Sequence, residues 1–275
     1  LSEWAYFFCG DCPSGYSAVG GQTLNPYGRK IIDTGGSSSG SGVAVAANFC
    51  VAAVGTETSG SILSPSSQNS IVGFKPTVGL MSRSGIVPIS STLDTPGPMT
   101  KNVIDNALLL DAMFGPDEKD NKSIDALLDS GFYYKNIVIP DLKGKRFGYF
   151  KEAKQDSLFA SAIEVLKTLG AKIVELEAEK VELPDFIRLL NLDMKKDLPI
   201  YLKASASDGV IVTSVNDVIE FNKSDSINRM PYGQKLFEGI IADQGTIQDL
   251  EAIKSKLKKN GQIFFDSPMQ ANTLD

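Results

Sequence analysis

The chain has 275 residues, 42% of them hydrophobic and 22% charged, with a formal net charge of -6 and a pI of about 4.9. That composition is ordinary for a globular chain, and Lys and Glu are interspersed, which excludes the clustered basic surface of a nucleic-acid binder. The longest apolar run, "VAVAANFCVAAV" at 43–54, is too short to cross a bilayer, and no basic start with an apolar stretch and cleavage site marks a leader. The reading is a cytoplasmic protein with neither membrane nor nucleic acid among its partners.

Residues 1–42 are rich in Gly, Ser and Pro. Within them Cys9 and Cys12 form a CxxC, but Pro13, Gly15 and Gly20 follow, which is loop chemistry and not a redox helix. A zinc site needs further ligands, and the chain has no histidine and one other cysteine, so the two are read as incidental thiols and no metal or cofactor is expected. The apolar run at 43–54 reads as a buried core helix. Residues 71–100 alternate short apolar pieces with Gly and Pro, as short strands and tight turns around a site floor would. A helix over 101–114 ends at Gly115-Pro116.

Next come a strand at 145–150, an amphipathic helix at 157–170 closed by Gly170, and a strand at 171–177, together a βαβ unit. From Leu183 to Phe265 the pattern is mostly helical, with a looser stretch at 205–217. The fold class is α/β, a mixed sheet core flanked by helices. The expected division is 1–182 for the core with its βαβ unit and 183–275 for a helical section at the substrate entrance.

The stretch "GGSSSGSG" (35–42) has the GxxxxG spacing of a phosphate loop, but Ser41 and Gly42 follow where lysine and serine or threonine are needed. A plain linker does not suit its packed-looking flanks. A third reading joins it to "GTETSGSILSPSS" (55–67) and "GFKPTVGLMSRSGIVPISSTLDTPGPM" (73–99). These motifs in this order, with "LSEWA" and "GYSAVGGQTLNPY" ahead of them, resemble the amidase signature family, over residues 1–115 without a break and more loosely beyond. The form "GTETSGSI" is similar to the branch of peptide amidases and aryl acylamidases.

The resemblance implies hydrolysis of a small-molecule or peptide amide by two serines and a lysine, without a cofactor. It assigns Ser61 as nucleophile and Ser37, 24 positions earlier and preceded by a cis peptide after Gly36, as the bridging serine. Backbone N–H groups of Thr58, Ser59, Gly60 and Ser61 would form the oxyanion hole. Ser38, Arg83 and Asp94 would support the site. Ser38, Ser39 and Ser41 are candidates for hydrogen bonds there, though a helix N-cap explains one of them equally well. Glu57 is read as a structural acceptor. Ile62, Leu63 and Ser64 follow the nucleophile where some relatives carry an arginine, which disfavours an acidic substrate.

The chemistry fits these residue types. A serine hydroxyl needs a base within reach, a desolvated lysine can be one, and a second hydroxyl can donate and accept between them. The family's lysine lies in an apolar strand well upstream of the glycine-serine motif, before the position of Leu1. Lys30 and Lys75 are poor replacements. The expectation is therefore a core with nucleophile, relay and oxyanion hole but without its base. The alternatives are a catalytically silent binding module and the amidase subunit of a tRNA-dependent amidotransferase.

Overall fold

The computed structural model describes residues 11–124, 131–137, 141–177 and 181–275. In chain order its elements begin with the hairpin β1 (Tyr16–Ser17) and β2 (Gly21–Gln22), then α1 (Ser39–Ala46), β3 (Ala52–Glu57), α2 (Leu63–Gln68), β4 (Val72–Gly73) and β5 (Thr95–Thr100). There follow α3 (Val103–Met113), α4 (Phe132–Lys135), β6 (Arg146–Phe150), α5 (Ser157–Thr168) and β7 (Lys172–Leu176). Five helices complete the chain: α6 (Phe186–Ser205), α7 (Val215–Lys223), α8 (Ser226–Arg229), α9 (Lys235–Ala242) and α10 (Ile247–Asn272). The chain divides into two compact units that interleave along the sequence, one of Leu1–Ile137 with Ile187–Thr246, the other of Val138–Phe186 with Ile247–Asp275.

The first unit is built on an antiparallel sheet in the order β3-β5-β4. Its central strand, "TPGPMT", is wholly buried and carries two prolines, which a central strand normally excludes. The period of two explains the exception. Pro96 and Pro98 stand opposite Thr56 and Val54, and they turn the same way, toward the β4 side. There β4 pairs only with Met99 and Thr100, and Phe74 N–H and Asn106 Nδ2 donate to the Pro98 carbonyl at 3.1 Å each. The absent proline donors fall where few partners are needed.

Helix starts follow ordinary capping. Asn102 accepts from the Asp105 N–H at the head of α3, and Ser214 accepts from that of Asp217 at the head of α7. In the second unit Asp156 accepts from Leu158 and Phe159 at the head of α5, and β6 and β7 pair in parallel over five residues. The strand–helix–strand reading at 145–177 therefore holds. Phe150 meets Phe264 of α10 at 5.1 Å between ring centroids. No helix among the described residues is long and apolar enough to cross a membrane.

Two readings need correction. The helix expected over 43–54 ends at Ala46. Asn48 takes a left-handed φ of +63°, the N–H of Phe49 returns to the Ala44 carbonyl, and the chain re-enters as β3. Phe49, Val51 and Val54 are exposed, so this half of the run is not core. An apolar run alone does not separate a helix from a strand. The second correction concerns the thiols: Cys12 is disulfide-bonded, while Cys50 is free. Cys9 lies outside the described residues.

Candidate active site

Ser61 sits in the turn between β3 and α2, and the turn is fixed from both sides. From inside, Glu57 at the end of β3 is 3% exposed and its carboxylate accepts three backbone N–H groups: Gly60 at 2.8 Å, Ile62 at 2.8 Å and Leu63 at 3.0 Å. A single acidic side chain thus satisfies donors that a sharp strand-to-helix turn leaves unpaired. Gly60 makes the turn possible with a φ of +87°, a conformation that side chains resist.

From below, Ile62 anchors the turn to the sheet. It is fully buried, and it occupies a hollow left by Gly55, Gly73 and Gly97, one from each strand of the sheet. A Cβ on any of the three would crowd Ile62, and on Gly97 it would also run into the Phe74 carbonyl. The neighbour of the candidate nucleophile is therefore the wedge that seats it.

The glycine-serine loop lies against this turn. The Ser38 N–H donates to the Ser61 carbonyl at 3.0 Å, joining the two motifs directly. Between Gly36 and Ser37 the peptide bond is cis, as the resemblance implies. Ser37 is 2% exposed, and its Oγ has no hydrogen-bond partner among the described residues. The linking segment is one helix and one strand, not one long helix.

None of the neighbouring serines caps α1 through its side chain. Ser38 Oγ instead donates to the Thr56 carbonyl at 3.0 Å and accepts from the Thr56 N–H at 3.1 Å, and Ser41 Oγ donates to the Val54 carbonyl at 2.8 Å. These hydroxyls close the outer edge of β3, which has no strand beyond it among the described residues. Ser39 Oγ donates to the Gly35 carbonyl at 2.6 Å.

Of the four backbone groups named for an oxyanion hole, the Gly60 N–H is turned to Glu57. Those of Thr58, Ser59 and Ser61 donate to no group among the described residues. Thr58 Oγ1 donates to Asp94 Oδ1 at 2.6 Å, and Asp94 Oδ2 accepts the N–H groups of Ile89 and Ser90 at 2.9 Å each. Burial pushes the Asp94 carboxyl up to about 6, against the pull of these hydrogen bonds. Arg83 lies further out. It pairs with Asp120, whose carboxyl the guanidinium holds down to about 2, and donates to the Ser91 carbonyl. Lys30 is exposed and Lys75 half-buried, and neither reaches Ser37 Oγ.

Four residues escaped the sequence reading. Asn25 and Asn69, both fully buried, strap the glycine-serine loop to α2: Asn25 Nδ2 donates to the Asp33 and Gln68 carbonyls, and Asn69 Nδ2 to those of Thr34 and Pro65. Asp193 and Asp197 of α6 hold the loop that carries Asp94, through Ser90 Oγ at 2.6 Å and the Ser91 N–H at 2.7 Å. Two aspartates four apart on the leucine-bearing stripe of a helix were the available signal.

The family model described as Amidase matches residues 2–235. The chain belongs to the amidase signature family. A probable amidase of Arabidopsis thaliana is 37% identical over 287 aligned residues, covering 100% of this chain and 55% of the relative. An amidase family protein from Bacillus anthracis superposes with a TM-score of 0.91 at 37% identity, over 100% of this chain and 55% of that one. The peptide amidase of Stenotrophomonas maltophilia does so with a TM-score of 0.86 at 35% identity, over 100% and 58%. This amidase family chain thus spans little more than half the length of these relatives.

Proposed function

We propose that this chain carries the nucleophile half of an amidase that hydrolyses linear amides, with Ser61 attacking the carbonyl carbon and Ser37 relaying the proton. The observation that carries the reading is the junction of the two motifs: Ser61 on a turn pinned by Glu57, bonded through its carbonyl to the loop whose Ser37 hydroxyl is buried and has no hydrogen-bond partner among the described residues, the Ser61 hydroxyl included. A buried hydroxyl without a partner is costly, and a relay between nucleophile and base is a reason to keep one there.

In this reading the Ser61 Oγ–C bond forms as its proton moves to Ser37 and on to a base. The oxyanion that develops on the carbonyl is held by backbone N–H groups, and those of Thr58, Ser59 and Ser61 are the candidates, because that of Gly60 is engaged by Glu57. The amine leaves with the returned proton, and water then releases the acyl group from Ser61. The base is the lysine that the resemblance places upstream, for which neither Lys30 nor Lys75 is a substitute. Likeness to a peptide amidase supports an amide substrate, peptide-borne or small. The test is hydrolysis of an aryl amide by a protein that includes the upstream lysine strand, with and without Ser61→Ala. Loss of turnover in the variant is the expected result, and substantial remaining activity would assign the nucleophile elsewhere.

A further inference from the structure

A cavity of about 720 Å³ opens beside the candidate site in the first unit, between the loop at 83–94 and helix α6. Its volume falls within the roughly 300–1,000 Å³ of small-molecule sites. One residue belongs to both places: Asp94 lines the cavity and accepts the hydroxyl of Thr58 in the turn that carries Ser61.

The wall is balanced in charge. Arg83, Lys119 and Lys196 face Asp94, Asp120 and Asp197. Most of these are engaged: Arg83 with Asp120, Lys196 with Asp197 at 3.2 Å, and Asp94 with its three donors. A cationic ligand would have to break one of these pairings to find a counter-ion, at a desolvation cost, whereas Lys119 makes no ion pair among the described residues. The apolar part of the wall comes from Ile86, Pro88, Ile200 and Tyr201. Ile200 is 62% exposed, an uncovered apolar side chain on a helix whose other face is core. The Tyr201 hydroxyl makes no hydrogen bond among the described residues and can give one to a ligand.

We propose that this cavity is the substrate's side-group subsite, taking an aryl or branched aliphatic group attached to the scissile amide and disfavouring a cationic one. Ile200 and Tyr201 are its specificity-determining residues. The inference rests on the reading of Ser61 as nucleophile only for the direction in which the amide points.

The test is binding of N-acetyl-L-phenylalaninamide to the chain, followed by calorimetry and by the chemical shifts of the α6 amides. Saturable binding is expected, weakened about tenfold in Tyr201→Ala and in Ile200→Asp through lost apolar contact. N-acetyl-L-lysinamide should bind at least about tenfold more weakly than the phenylalanine compound, since the wall's carboxylates are already engaged. No saturable binding, undiminished binding in both variants, or equal binding of the two amides would each overturn the subsite. Failure of the catalytic reading has a different signature: turnover by the lysine-containing protein that survives Ser61→Ala, while Tyr201→Ala still weakens binding. Circular dichroism of the variants checks that α6 is intact, and Ile200→Ser, milder at an exposed position, serves if the aspartate disturbs it.

Discussion

Thr58 donates its hydroxyl to Asp94 across 36 residues of sequence, at 2.6 Å, and so ties the turn of the candidate nucleophile to the far side of the sheet's loop layer. The bond joins a threonine in the turn to a carboxylate that burial holds at about 6, well above its ordinary 3.8.

That elevation has a sign. A carboxyl raised on folding contributes stability that is fully present below the unfolded value of 3.8 and is lost as pH rises through about 6. Asp120 works the other way, its stabilisation present above 3.8 and lost only as pH falls through about 2. Between pH 7.5 and 4.5 the titration of Asp94 should therefore dominate this pair. In urea titrations, wild type should gain on the order of 2 kcal/mol relative to Asp94→Asn on going from the higher pH to the lower. A constant gap between the two proteins would remove Asp94 as the titrating group.

Glu57→Gln should cost about 2 kcal/mol or more. An amide presents one acceptor where the carboxylate presents two, and its NH₂ would face the N–H of Gly60 or those of Ile62 and Leu63. Chemical denaturation measures the loss, and backbone amide shifts at 60–63 should move with it. A variant as stable as wild type would mean that the turn holds its shape without these bonds.

Ser37→Ala separates folding from function. Because Ser37 Oγ is buried without a partner among the described residues, its removal should leave thermal stability unchanged or raise it by up to about 1 kcal/mol. In the lysine-containing protein the same change should depress kcat by orders of magnitude. A strongly destabilised Ser37→Ala would point to a structural partner for the hydroxyl.

Gly97→Ala tests the seat of Ile62. The added methyl meets the Phe74 carbonyl and Ile62 in a packed interior, and overpacking of this kind costs about 1–3 kcal/mol. Melting temperature should fall, and the resonances of Ile62 and Ser61 should shift together. Unaltered Ser61 shifts would show that the wedge does not seat the turn.

The chain as given should hydrolyse an aryl amide at most slowly, since it has no histidine and neither Lys30 nor Lys75 reaches Ser37. Comparison with a protein that restores the upstream lysine strand reads this directly. Equal rates would reveal a base within these 275 residues.

The cis peptide before Ser37 was legible through the resemblance to the family, and the parallel pair β6–β7 because its period and its closing glycine are local signals. What was not legible depends on partners far along the chain. Asn25 and Asn69 look like ordinary loop polar residues until their amides are seen to bond buried carbonyls. Asp193 and Asp197 act on a loop about a hundred residues earlier. Short strands were expected within 71–100, but the central place of β5 in its sheet was not legible, because its two prolines count against a central strand and the decisive fact is how short β4 is beside it.

An open strand edge is a template for pairing with another chain. At the outer edge of β3 the Thr56 N–H and carbonyl and the Val54 carbonyl are already occupied by the hydroxyls of Ser38 and Ser41, while Phe49, Val51 and Val54 stand exposed beside them. Removing both hydroxyls would leave three unpaired backbone groups next to an apolar margin, a surface on which a second copy could dock strand to strand. The serines that lie beside the candidate nucleophile thus also occupy backbone groups to which a further strand would bond.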